Sequence, residues 1–215
     1  MILESLNELK KLDVNRTVFG SDMHNYELYP PANEAEVLEL EQVSNVSLPD
    51  DYRHFITQIG NGGAGPAYGL FRVGEHDDNL GFISFKKGCL LGDLSTPFKY
   101  SREWNHTKEF WDRAPDVDSM SEQEFEEACD HWRERLNKEY YDTSIMDGAI
   151  PICHLGCAIR DWLVVTGLER GNIWRDERAH NSGIYPLEND DGERLTFSVW
   201  YDDWISESLV EVRDQ

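Results

Sequence analysis

Leu48-Pro49-Asp50-Asp51-Tyr52-Arg53-His54-Phe55-Ile56, running into Gly60-Asn61-Gly62-Gly63-Ala64-Gly65-Pro66, is the stretch on which the fold turns. Pro49 suits a first helical turn, where its missing N–H costs nothing, and Asp50 and Asp51 complement the positive end of the helix dipole. Tyr52, Phe55, Ile56 and Ile59 fall at i, i+3, i+4 and i+7, which makes one apolar stripe. Gly60 stands where the helix should stop. The glycines after it require positive φ or close backbone approach, so a loop follows. A phosphate cradle is a poor reading of that loop. A P-loop needs Lys-Ser or Lys-Thr after its last glycine and a strand before it, whereas here Pro66 follows Gly65 and a helix precedes.

Working outward, the N-terminal side predicts two more helices. Leu3, Leu6, Leu9 and Leu12 recur three apart and suggest one apolar face. Tyr29-Pro30-Pro31 forbids helix. Asn33 then reads as an N-cap with Glu36 as its capping-box partner, and Val37, Leu38 and Leu40 as the buried side. Downstream of the glycine loop, Tyr68 to Val73 and Phe82-Ile83-Ser84-Phe85 read as strands. Residues 92–147 change character, with Trp104, Phe110 and Trp111 in a charged background. Ser121 and Glu124 form a capping box, and Phe125, Cys129, Trp132, Leu136 and Tyr140 recur at helical spacing over about five turns. Strand-like sequence resumes at Ala149 to His154, where Pro151 marks an edge or a bulge. Trp162 to Thr166 turns through Gly171-Asn172 into Ile173-Trp174-Arg175, and Ile184-Tyr185 adds a short strand. A last helix carries Phe197, Trp200, Tyr201, Trp204, Ile205 and Leu209 on one face. The order predicts an α+β fold: N-terminal helices, a central antiparallel sheet of about four to six strands, a C-terminal helix, and a helical insertion at about 92–147 within a single domain, 1–215.

The chain has 215 residues, with 20 Lys and Arg against 42 Asp and Glu, a formal charge of −22. That balance opposes contact with nucleic acid or an anionic membrane and favours a basic protein partner. No apolar run reaches the roughly 18 residues of a membrane span. The acidic N-terminus lacks the pattern of a secretion signal, so a cytoplasmic location with reduced thiols is expected for Cys89, Cys129, Cys153 and Cys157.

Chemistry-bearing patterns are sparse. Cys153-His154-Leu155-Gly156-Cys157 offers two thiolates and an imidazole, but a closed zinc site needs a fourth ligand and no second Cys pair supplies it. In an extended segment Cys153 and His154 also point to opposite faces. Buried thiols and a surface or capping histidine are expected instead. There is no Gly-x-Ser-x-Gly elbow and no His-x-x-x-His pair. Adjacent acids such as Asp50-Asp51 and Asp202-Asp203 read first as solvated helix faces. Acid is nevertheless concentrated: residues 188–215 hold nine acids and two Arg.

The Leu-Pro-Asp-Asp-Tyr-Arg-His-Phe segment and its Asn61-Gly62-Gly63 turn resemble the SUKH superfamily, built around the fungal Smi/Knr cell-wall-assembly regulators and many bacterial proteins. Ile150-Pro151-Ile152, Asp161 to Val165 through Gly171 to Trp174, and Phe197 to Leu209 agree with it. The resemblance covers roughly 30–91 and 148–210 and departs at 92–147. It implies a non-enzymatic binding domain without catalytic residues, metal or cofactor. In bacteria it implies an immunity protein that silences the cognate toxin domain of a polymorphic or contact-dependent system, and the acidic balance of the chain adds the expectation that this toxin is basic, such as a nuclease. The alternatives are a regulatory scaffold for envelope or signalling proteins, or a small metal-dependent hydrolase. For a basic toxin partner, the expected contact residues are Glu188, Asp190, Asp191, Asp202 and Asp203.

Overall fold

A computed structural model describes residues 2–73, 82–83 and 92–214. Its helices are α1 (Ile2–Leu12), α2 (Ser21–His24), α3 (Glu34–Ser44), α4 (Asp50–His54), α5 (Lys108–Trp111), α6 (Glu122–Glu139) and α7 (Phe197–Arg213). Strands β3 (Ala149–Gly156), β4 (Ile159–Val164), β5 (Ile173–Asp176) and β6 (Ile184–Pro186) form an antiparallel sheet in that order. The fold is α+β.

The two faces of the sheet bury different sets of side chains. Ile150, Ile152, Leu163 and Ile173 face inward against Phe197, Trp200, Tyr201, Trp204 and Ile205 of α7, with α1, α3 and α4 completing the layer. Trp162, Val164, Trp174 and Ile184 face the other way, against Phe98, Ile145 and Met146. The segment 92–147 therefore covers the outer face. Pro151 lies in the outermost strand of this sheet and beside a register shift, as a residue without a ladder donor must. Neither long edge of the sheet is left open among the described residues. Leu70 bridges Cys153 on β3, and Trp104 exchanges two 2.8 Å backbone bonds with Ile184 on β6.

Both predicted capping boxes form, at Asn33/Glu36 and Ser121/Glu124. Other expectations are corrected. In α1, Leu6 and Leu9 are buried but Leu3 and Leu12 are exposed. Three residues fall about 60° short of a full turn, so leucines three apart drift off one face. Leu38 is exposed for a similar reason, one step round α3 from Val37. The helix from Asp50 does not run straight to Gly60. Phe55–Ile59 is a π-helical turn, closed by Gly60 N–H to the Phe55 carbonyl at 3.0 Å, and its extra residue leaves Ile59 only half-buried. The strand expected over Tyr68 to Val73 shrinks to β1 (Arg72–Val73), because Ala67 and Gly69 take positive φ. β1 pairs in parallel with β2 (Phe82–Ile83); the expected continuation through Ser84 and Phe85 lies outside the described residues. Asp51 is not merely solvated. Its Oδ2 accepts the Ser198 N–H at 3.0 Å and so caps the first turn of α7.

The α1–α2 connection is organised by a buried carboxylate. Asp13 accepts from Tyr26 Oη at 2.6 Å, the Thr17 amide at 2.6 Å and Ser21 Oγ at 3.0 Å. Burial alone would raise its pKa; these donors, Tyr26 foremost, outweigh burial and bring it down to about 2. Its folded-state pKa lies below the unfolded value, so its stabilisation is complete above about pH 4 and disappears as pH falls towards 2. Acid titration of Asp13→Asn, followed by urea unfolding, should show a loss of on the order of 2 kcal/mol at pH 7 that vanishes near pH 2. A constant difference across that range would remove the carboxylate from this role.

Candidate partner-binding site

The predicted acids stand on two elements, the β6–α7 loop and α7 itself. The loop is a small hairpin closed by Asn189, whose Oδ1 accepts the Asp191 and Glu193 amides at 3.1 and 2.9 Å. This holds Asp190 and Asp191 at the tip, exposed. α7 presents its residues at helical spacing, so Trp200, Asp203, Trp204 and Glu207 share one side. Together the loop and helix border a groove of about 610 Å³, with Pro66 and Arg175 also in its lining.

Four of the five predicted acids, Glu188, Asp190, Asp191 and Asp203, therefore line one groove. Asp202 does not join them. One step along α7 turns it by about 100°, and it lines a separate apolar groove with Ile2, Leu3 and Ile59. Both Asp202 and Asp203 are exposed, as a solvated helix face requires, but they border different grooves. Glu207 joins the acidic groove and was missed, although its i+4 spacing from Asp203 was available to find it. Glu188 is engaged in an ion pair with Arg194, which also reaches Glu169 at 3.2 Å.

The lining is set by a network beneath it. Arg175 pairs bidentately with Asp161 at 2.8 and 3.0 Å, and the same carboxylate accepts the Trp200 indole N–H at 3.2 Å. Burial would lower the Arg175 pKa, but the Asp161 hydrogen bonds outweigh it and raise it, so the guanidinium stays charged. Trp200 and Trp204 are 5% and 9% exposed, core residues that nonetheless line the groove. The arrangement offers carboxylates beside two indoles, and the carboxylates suit an Arg or Lys side chain.

The Cys153–Cys157 segment does not assemble a metal centre. Cys153 is buried with its Sγ 3.0 Å from the Pro66 carbonyl, and burial raises its thiol pKa well above the usual range. His154 packs against Tyr68 beside a second groove, of about 620 Å³, and burial lowers its pKa. Cys157 is exposed on the β3–β4 turn, which corrects the expectation of a buried thiol. Among the described residues no group of three or more His, Cys, Asp or Glu side chains is placed to hold a metal ion.

The SMI1 / KNR4 family (SUKH-1) model matches residues 31–191. The chain belongs to that family. The match takes in about three-quarters of the sequence. For this SUKH-1 chain, no curated protein and no solved structure gave a match. The match spans α3 to the loop tip at Asp191, and α7, with Asp203 and Glu207, lies beyond it. Among the described residues no helix is long and apolar enough to cross a membrane.

Proposed function

We propose that this SUKH-1 chain is a non-enzymatic, cytoplasmic immunity protein that binds and occludes a basic toxin domain, and that it does so through the acidic groove between the β6–α7 loop and α7. The convergence of Asp190, Asp191, Asp203 and Glu207 over Trp200 and Trp204 is the observation that carries the reading. A chain of −22 gathers charge there despite the self-repulsion, which favours a partner of opposite sign. The acids accelerate encounter, and the apolar surface of Trp200 and Trp204 lengthens the bound state once water is excluded. On this reading 1–215 is one domain, and 92–147 is an insertion that braces the outer face of the sheet and leaves the groove open.

The test takes toxin domains encoded by genes neighbouring this one as the candidate partners. Co-expression should rescue cells, and purified full-length protein should bind the toxin domain. Asp190→Lys/Asp191→Lys/Asp203→Lys should weaken binding about 100-fold or more, chiefly through a slower association rate at low salt. Tight binding that ignores these reversals would move the contact elsewhere. Binding to housekeeping envelope or signalling proteins without rescue would replace this reading with the scaffold.

A further inference from the structure

The helix α6 is unlike the others. It runs for 18 residues, and none of its side chains is fully buried. Its attachment is concentrated at the C-terminal end. There Trp132 packs on Phe110 at 4.9 Å, Arg135 lies 4.8 Å over the Phe110 ring, and Tyr140, just past the helix, is buried. Towards its N-terminal end Phe125 and Cys129 are only half-buried, while Val117 and Met120 in the preceding turn are 62% and 42% exposed. Phe125, Cys129 and Trp132 fall at helical spacing and make one stripe along α6, and the stretch that holds it is acidic. Residues 116–131 contain seven Asp and Glu and no Lys or Arg, with Glu122 and Glu126 along one flank of the strip.

We propose that the N-terminal half of α6 is a second docking surface, separate from the acidic groove, and that it takes a basic amphipathic helix. An apolar stripe on a helix is covered when a partner lays its own stripe along it, and the flanking charges select that partner's sign. Asp130 is paired with Arg133 at 2.7 Å, and the acids that remain select Lys and Arg. A second copy of this chain is a poor occupant. It brings the same acids, so two such surfaces repel each other. The inference shares with the proposed function only the premise of a basic protein partner.

The probe is a synthetic 18-residue helical peptide with Leu on one face and Lys on the other, titrated calorimetrically into the full chain at physiological salt. Binding is expected, and a peptide with every Leu replaced by Ser should bind at least about tenfold more weakly. Glu122→Lys/Glu126→Lys and, separately, Val117→Ser/Met120→Ser should each weaken the Leu/Lys peptide about tenfold. Circular dichroism checks that the variants keep their helix. Glu39→Lys/Glu211→Lys, at two exposed acids outside both surfaces, changes the net charge equally and should leave peptide affinity within about twofold. Equal losses from both charge reversals would mean unspecific attraction and overturn the proposal, as would indifference to the α6 changes. Sedimentation showing a dimer that Glu122→Lys/Glu126→Lys dissolves would assign the surface to self-association instead. The groove variant tested on the toxin and the α6 variant tested on the peptide can fail independently.

Discussion

Asp161→Ala should cost this fold about 3–5 kcal/mol, measured by urea unfolding at neutral pH. Asp161 has no exposed surface, and its two oxygens serve three donors, Arg175 Nε and Nη2 and the Trp200 indole. Truncation leaves a guanidinium and an indole N–H on the inner face of the sheet without their acceptor. The Arg175 side chain keeps 29% exposure, so water can partly replace the carboxylate and the loss should sit at the lower end of that range. Asp161→Asn keeps the volume and an acceptor for the indole, and should cost roughly half as much. Adding Arg175→Met to Asp161→Leu should recover most of the loss, because the pair is dearer to break than to replace. An unchanged unfolding midpoint in Asp161→Ala would show that the pair is not a structural element. Trp200 would also lose its tether in this variant, so any binding through the proposed acidic groove should weaken beyond what the lower stability explains.

Gly63→Ala should be comparably damaging, about 3 kcal/mol or more. Gly63 has φ +104° and bridges Leu28 on one side and Leu70 on the other. A Cβ there would lie 2.4 Å from the Glu27 carbonyl oxygen, so both the backbone conformation and the space are closed to a side chain. Gly65→Ala is the control. Its φ lies outside the left-handed region, and the nearest atoms are Leu70 Cγ at 2.8 Å and the Leu70 backbone nitrogen at 3.1 Å, a crowding less severe than at Gly63. It should cost about 1 kcal/mol. Equal effects at the two positions would mean that the bridge ladder through Gly63 tolerates displacement.

Which features could be read from sequence follows from how far apart their causes lie. Both capping boxes, at Asn33/Glu36 and Ser121/Glu124, are three-residue devices and were legible. So was α7, whose six aromatic and aliphatic positions repeat at helical spacing. The π turn at Phe55–Ile59 was not, since one extra residue in a helix leaves no compositional mark. The parallel pairing of β1 with β2 was hidden because, among the described residues, each strand offers only two positions. Asp51 looked like a solvated acid, and its partner Ser198 lies 147 positions away. At the candidate site, clustering of charge identified the loop acids, yet only the orientation of α7 separates Asp203 from Asp202. Arg175 was invisible as a site residue, since its place in the lining depends on the register of β4 against β5.

The bridges at Leu70–Cys153 and Trp104–Ile184 bear on how the protein behaves when it is abundant. A bare strand flank is a template on which a neighbouring chain can add itself, and repeated addition produces fibrils. Here irregular segments of the same chain already occupy both flanks. The described sheet is thus finished rather than extendable, and high protein concentrations should leave it dispersed instead of drawing it into aggregates.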